Sequence, residues 1–445
     1  MEVLGLFQKS LVASFSSPEP DFIAGKVVAI ILLMLIVVGI CIYILIEVGA
    51  NSSKDPRVAP PNVALTKTSQ ETSLSAAAAR GEGFVDLSSQ GSLYNSLLST
   101  IDPSEQYLVN LCPLTASIGG YIGPTISGVF DPDYYVQQAL RAGIRAFVLP
   151  ISVYYDDNKK PPEWPYSGKP AVVCRNAAGK ILSLNGMSIR KFCKSLVTYM
   201  SINSAQANEP IILYLDATPG HIPDILKAEK EYVQFTSDIA EELKPLDPYR
   251  LLTISSYGSA TGGVNQMNIL TQIPLTEFQN KILIFTNFNI TAGTKDAYSS
   301  IRPLLYEYVN FVYSPVTATT IGVAKTNNCD SVHLMDVSGS LVNWTDQAVT
   351  SWMFVGQDDF TQLHDTGAIE AATTTGIQSI PVPFFFVDPS KTKAIWKQWS
   401  GYAWKMKAPA ARYTKPAPIT PMTPTTALNA RVSDSLQPGQ TLIKV

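Results

Sequence analysis

The sequence predicts an α/β fold, a TIM (β/α)8-type barrel, carried behind a single transmembrane helix. Three observations predict it. An unbroken apolar run reaches from Val27 to Ile46. From about residue 93 to residue 407, short apolar runs alternate with helix-like stretches, the pattern of strands joined by helical crossovers in a parallel sheet. Hydrophobic residues make up 46% of the chain and charged residues 16%, below the roughly 25% usual in soluble domains, so a large core is within reach.

Taken in order, residues 1–25 form a short polar leader. The run that follows, VVAIILLMLIVVGICIYILI, sits between Lys26 and Glu47, in a segment spanning 26–47. As a helix rising 1.5 Å per residue it measures about 30 Å, the thickness of a hydrocarbon core. A helix is required there because lipid offers backbone groups no partners. A secretory signal is the competing reading, with Val48-Gly49-Ala50 resembling a cleavage site. The length of the run and the acids Glu2, Glu19 and Asp21 before it count against that. Lys9 and Lys26 precede the run and Lys54 and Arg57 follow it, so the charge rule for orientation returns a tie.

Residues 48–92 are poor in aromatics and rich in Ser, Ala, Thr, Pro and Gly, which reads as a flexible tether. The barrel is expected over 93–408. Its strand candidates are 146–151, 171–174, 211–216, 250–255, 281–286, 311–313 and 380–386. Its helix candidates are 133–142, 188–201, 224–243, 297–307, 346–357 and 392–399. Eight strands suit this length. Beyond it, residues 409–445 carry Pro416, Pro418, Pro421 and Pro424, which rule out a regular helix and predict an extended Pro/Thr-rich tail suited to docking on a protein partner.

The formal net charge of −3, with no basic stripe, argues against nucleic acid as a partner. The five cysteines show no Cys-x-x-Cys and no pairing rhythm. Cys41 lies in the apolar run; Cys112, Cys174, Cys193 and Cys329 are read as buried thiols, since a chain this long needs no disulfide staples. Three histidines limit both metal binding and acid–base chemistry. Acceptor triplets for glycosylation begin at Asn51, Asn289 and Asn343 and decide nothing, being frequent by chance.

Several stretches, in order along the chain, carry a resemblance. Ala139-Leu-Arg-Ala-Gly-Ile-Arg-Ala-Phe-Val-Leu-Pro reads as a helix ended by Gly143 and a strand begun at Arg145. After it come Lys169-Pro-Ala-Val-Val-Cys, Asn208-Glu-Pro-Ile-Ile-Leu-Tyr-Leu-Asp and Ile273-Pro-Leu-Thr-Glu-Phe-Gln-Asn-Lys-Ile-Leu-Ile. Then follow Leu305-Tyr-Glu-Tyr-Val-Asn-Phe-Val-Tyr-Ser-Pro-Val, Gly376-Ile-Gln-Ser-Ile-Pro-Val-Pro-Phe-Phe and Tyr402-Ala-Trp-Lys-Met-Lys. Together they resemble the X and Y regions of the phosphatidylinositol-specific phospholipase C family over about residues 95–408. The resemblance implies a TIM barrel with its site at the carboxyl ends of the strands. It also implies two histidines working as base and acid on a phosphodiester, with calcium held by carboxylates in the eukaryotic type.

Carried over position by position, those roles stand vacant. The first histidine slot falls on Cys112 or Pro113, within Asn110-Leu-Cys-Pro-Leu, and the second on Arg175. The carboxylate pair falls on Val148 and Pro150, and the two phosphate-binding lysines on Phe285 and Asn287. Asp216 is the one acid retained. Valine cannot ligate a cation, and arginine stays protonated at any useful pH, so the resemblance implies a fold kept without its chemistry. Such stripped, anchored barrels are similar to membrane or minor capsid proteins of large DNA viruses, which places the expected product on a virion's internal membrane as a structural component.

An active or ligand-holding alternative rests on other residues. Arg175, Asp216 and His221 could form a residual anion site, His221 lying in a loop after the strand that ends at Asp216. That alternative reads as a phosphatidylinositol phosphodiesterase, with calcium as its cofactor, or as a non-cleaving phosphoinositide-binding module; otherwise no cofactor is expected. His333 near Asp336, His364 near Asp365, and Asp358-Asp359 are weaker candidates in later loops. Trp396, Trp399, Tyr402 and Trp404 read first as core packing of a final helix and second as a membrane-docking patch.

Overall fold

The computed structural model describes residues 33–34, 36–38, 63–79, 93–123, 128–153, 169–176, 182–202, 208–217, 225–251, 266–290, 292, 295–315, 323–326, 349–355, 366–384, 394–395, 397–399 and 403–416. Five helices matter to the architecture: α1 (Val63–Ala79), α2 (Leu93–Thr100), α3 (Pro132–Arg141), α4 (Ile189–Ile202) and α5 (Glu229–Leu243). The strands before α4 are β1 (Leu111–Pro113), β2 (Thr115–Ala116), β3 (Tyr121–Ile122), β4 (Val129–Phe130), β5 (Ala146–Val153) and β6 (Pro170–Val172). Those after it are β7 (Ile211–Ala217), β8 (Ile282–Thr286), β9 (Phe311–Val312), β10 (Ser314–Pro315), β11 (Val323–Thr326), β12 (Trp352–Val355), β13 (Pro381–Val382) and β14 (Trp404–Met406).

The main path of the sheet is parallel: β13 pairs β2, β2 pairs β5, β5 pairs β7, β7 pairs β8 and β8 pairs β9, while β6, expected over 171–174 as a barrel strand, pairs β5 antiparallel off this path. Tyr313 alone separates β9 from β10, which pairs β11, which pairs β12. A parallel bridge from Phe354 to Ser379, just ahead of β13, brings the pairings back to their start. Side-chain amides knit this circuit where backbone bonds run short. Asn310 accepts from Ile284 N at 2.8 Å and donates to Leu251 O at 3.0 Å. Gln378 accepts from Met353 N at 2.7 Å and donates to Val109 O and Ser351 O.

Alternate residues of each strand face the interior. Tyr214 stacks on Phe354 at 4.2 Å and Phe285 on Phe311 at 4.3 Å, with Trp352 5.6 Å from Phe285. The polar tips in this aromatic filling are matched: Tyr214 OH shares a hydrogen bond with Ser379 Oγ and accepts one from Trp352 Nε1 at 2.9 Å. On the outer side, Phe147 packs against Tyr135 of α3 and Phe192 of α4.

Local sequence explains where α3 starts and stops. Asp131 caps it by accepting from Tyr134 N, and Pro132 fits its first turn. Gly143, at φ +89, takes the left-handed turn after it, and Arg145 then opens the segment into β5 with its guanidinium on buried Glu209.

Several expectations change. Residues 346–357 were expected as one helix; 349–350 are helical, but Trp352–Val355 is strand β12. A run of buried apolar residues is consistent with either period, and here burial on both faces decided it. Residues 297–307 hold two 3-10 turns, Asp296–Tyr298 and Leu305–Glu307, because Pro303 cannot sit inside a helix. Strands β2 and β11 and a helix at Thr366–Thr374 had no clear signal. The helix expected over 224–243 begins at Glu229; residues 394–395 and 397–398 of the expected 392–399 helix are helical. The tether expected over 48–92 contains the helix α1, docked by polar contacts that composition alone does not reveal.

Cys112, Cys174 and Cys193 are buried free thiols, as expected; Cys41 and Cys329 lie outside the described residues. Among the described residues no helix is long and apolar enough to cross a membrane. Most of the run from Val27 to Ile46 lies outside them; Leu33, Met34 and 36–38 are helical and exposed. Trp399 and Trp404 are buried, and Trp399 Nε1 donates to Cys112 O at 3.1 Å while Lys405 Nζ sits 4.1 Å over its ring, which is core packing; Trp396 and Tyr402 lie outside. Residues 409–416 of the expected tail lie along the barrel: Tyr413 N donates to Asn110 at 2.7 Å and Arg412 pairs with Glu105 at 3.2 Å. Residues 417–445 lie outside.

Candidate functional site

The carboxyl ends of the parallel strands are where a site is expected in such a sheet. Tyr214 faces the interior, so Asp216, two residues on, takes the same face at the rim. Register puts Val148 beside Tyr214 and Pro150 beside Asp216. Phe285 lies beside Tyr214 on the other flank. Thus Val148, Pro150, Phe285 and Asp216 share one face of three neighbouring strands.

Asp216 is 6% exposed and accepts from Tyr313 OH at 2.8 Å. Burial, and then the negative charge of Asp216, push the Tyr313 phenol well above its ordinary value, so it stays protonated and keeps donating. Asn287 is engaged with the backbone: its Oδ1 accepts from Ala217 N at 2.7 Å and its Nδ2 approaches Ala217 O at 3.4 Å. It holds the chain in place just after Asp216. Arg175 is buried, two residues beyond Val173, whose N donates to Pro150 O at 3.2 Å.

Cys112 needs correcting. It lies on β1, which pairs β14 antiparallel and precedes the barrel strand β2, so it sits at the amino end of the sheet, away from the rim. Burial pushes its thiol up, the opposite of what a nucleophile requires. The chain leaves the carboxyl end of β2 through Ser117-Ile118-Gly119 instead, where Gly119 N donates to Val148 O at 2.8 Å. Ile118 is fully buried at φ +47, a left-handed backbone that a β-branched residue rarely adopts. Leu111–Pro113 is also a short buried strand, and nothing in its composition marks which of β1 and β2 joins the parallel circuit.

Sequence reasoning missed two residues here. Ser117 Oγ and Ser152 Oγ, near the carboxyl ends of the neighbouring strands β2 and β5, are buried with no hydrogen-bond partner among the described residues. A single serine in an apolar run carries no signal that could have found them. His221, His333, His364, Asp336, Asp358, Asp359 and Asp365 lie outside the described residues. Among the described residues no three of His, Cys, Asp and Glu gather as metal ligands would. What the described rim offers is hydrogen bonding: a carboxylate engaged by a phenol, two hydroxyls and a guanidinium, set among hydrocarbon.

No protein-family model matches the chain, and no curated protein does. Solved structures resemble it. The crystal structures of S. officinalis PLC21 and L. pealei PLC21 are each 12% identical, with TM-scores of 0.41 and 0.42. Each match covers 69% of this chain and 38% of the other, so the chain spans well under half the length of those proteins. A calcium-dependent phosphoinositol-specific phospholipase C from a Gram-negative bacterium, Pseudomonas sp, is 13% identical over 69% of this chain and 98% of its own, with a TM-score of 0.35. The strand pairings themselves, not these likenesses, define the architecture described above.

Proposed function

We propose that the chain is a membrane-anchored interaction protein built on a TIM (β/α)8-type barrel of the phospholipase C kind that does not cleave phosphodiesters. The circuit of parallel pairings supports the barrel, and the ordered X- and Y-region motifs support its kind. The observation that carries the loss of chemistry is the pair Val148 and Pro150, hydrocarbon on the two positions that flank Tyr214 and Asp216. A cation cage or proton relay needs oxygen or nitrogen donors exactly there in space, and these side chains have none. The apolar run from Val27 to Ile46 supports the anchor in a lipid bilayer, and the Pro/Thr-rich tail supports protein partners. A structural place at a virion's internal membrane fits both. No cofactor is required, and nothing favours nucleic acid.

One observation favours a second reading, a barrel mouth that binds an anionic lipid headgroup without cutting it. Ser117 and Ser152 offer unpartnered hydroxyls, and Arg175 is buried close to Pro150. Flotation of the full chain with vesicles separates the two. The first reading predicts equal flotation on phosphatidylcholine alone and on phosphatidylcholine with phosphatidylinositol, and loss of flotation when Ile36 and Val37 become lysine. Flotation that requires the inositol lipid and is lost in Arg175→Gln favours the second.

A further inference from the structure

The segment between the apolar run and the barrel carries a feature that its composition hides. Helix α1 lies against the β3–β4 hairpin, which connects the carboxyl end of β2 to the start of α3 and so belongs to the barrel's open rim. Lys67 Nζ pairs with Asp131 at 2.6 Å, the residue that caps α3. Burial pushes the Asp131 carboxyl up, but hydrogen bonds with Lys67 and Glu71 and the Lys67 charge outweigh it and hold the group below its ordinary value. Two turns on, Tyr134 OH reaches Glu71 O and Ser75 Oγ, each at 3.4 Å. Leu74 packs on the core, and Gln70 lies over Gly123, where a Cβ would sit 2.3 Å from Gly128 Cα and 2.7 Å from Gln70 Nε2.

Beyond α1 the chain reaches the opposite end of the barrel. Gln106 holds the end of α2 through Leu98 O and Ile101 O and accepts at its carbonyl from Leu275 N, ahead of β8; β1 follows it. A free segment of residues 47–92 would therefore hang the barrel from its closed end.

We infer that α1 is a brace that fastens the leading segment to the open rim of the barrel and turns that rim toward the bilayer. The inference rests on the membrane-anchor reading above. With α1 docked, the 16 residues 47–62 separate the apolar run from the rim; undocked, the 46 residues 47–92 separate it from the far end. The brace is polar, which explains why a helix with little apolar surface holds its place.

The test uses the full chain with Cys41 and Cys329 replaced by alanine, in phosphatidylcholine vesicles carrying an energy acceptor on the headgroups. A donor is attached at Leu226→Cys, in the rim loop after β7 and 92% exposed, or at Ala410→Cys, exposed at the other end. The expected result is several-fold greater transfer from the rim donor, with the difference lost in the Lys67→Glu, Leu74→Asp double variant. Equal transfer from both sites, or a difference the double variant leaves intact, overturns the inference. Hydrogen exchange over residues 63–79 judges the docking independently of lipid. Slowed exchange that the double variant abolishes supports the brace, and exchange as fast as in a free helix overturns it. A chain that fails to float overturns the anchor, and the orientation with it.

Discussion

Lys407 is a buried cation beside β14. It is 1% exposed, its Nζ reaches Ser351 O at 3.3 Å, and burial pulls its ammonium down to about 7. Between that value and the ordinary 10.5 the unfolded chain holds more protons than the folded one, so stability climbs as pH rises from about 7 to about 10 and the full penalty is felt below 7. Chemical denaturation at pH 7 and pH 10 should show that rise in the unaltered chain, and Lys407→Met should flatten it. The Tyr313–Asp216 contact makes a second prediction. Tyr313→Phe leaves a buried carboxylate short of a donor and should cost about 1–3 kcal/mol in a urea titration. At this scale the sequence spoke clearly where identity alone settles the chemistry: Val148 and Pro150 carry no side-chain donor for a cation, and Phe285 carries no charge for a phosphate. It was silent about Ser117 and Ser152, whose interest lies entirely in being buried without a partner.

Helix ends and strand register carry the next level. Gly143 at φ +89 links α3 to β5, and Gly143→Ala should destabilise the barrel by about 1–2 kcal/mol through the left-handed penalty. Asp131→Ala removes both the cap of α3 and the partner of Lys67. It should cost about 1 kcal/mol globally and, unlike Gly143→Ala, should speed hydrogen exchange in residues 63–79. Those long elements that combine a clear period with a cap or a stop were legible: α3, α4, β5, β7 and β8 fall within a few residues of expectation. The two-residue strand β2 was harder, because pairing with neighbours far along the chain defines it rather than any local pattern. The expected helix over 346–357 failed for the same reason: Trp352–Val355 is fixed by its neighbours β11 and Ser379.

The molecule as a whole joins a rigid, aromatic-filled sheet to polar straps at both ends. The leading strap, α1, grips the rim; the trailing residues 403–416 run back along β1 and close the amino end, with Lys415 N bonded to Ser104 O at 2.9 Å. The interior leaves the rim as the place where a ligand could meet the sheet, and the rim's described side chains are a phenol-bound carboxylate and two buried hydroxyls among hydrocarbon, with Arg175 buried beyond Val173. The alternation of strands and helices made the α/β class readable, and the order of the motifs placed Val148, Pro150 and Asp216 on neighbouring parallel strands. The docking of α1 was not readable, because ion pairs between Lys67 and a residue 64 positions away leave no local trace. The most direct test of the account is the hydrolysis of phosphatidylinositol vesicles followed by phosphorus magnetic resonance, with the full chain at stoichiometric concentration and with calcium or a chelator. The account predicts an unchanged lipid signal over many hours in both conditions. A growing inositol phosphate signal that Asp216→Ala abolishes would contradict it.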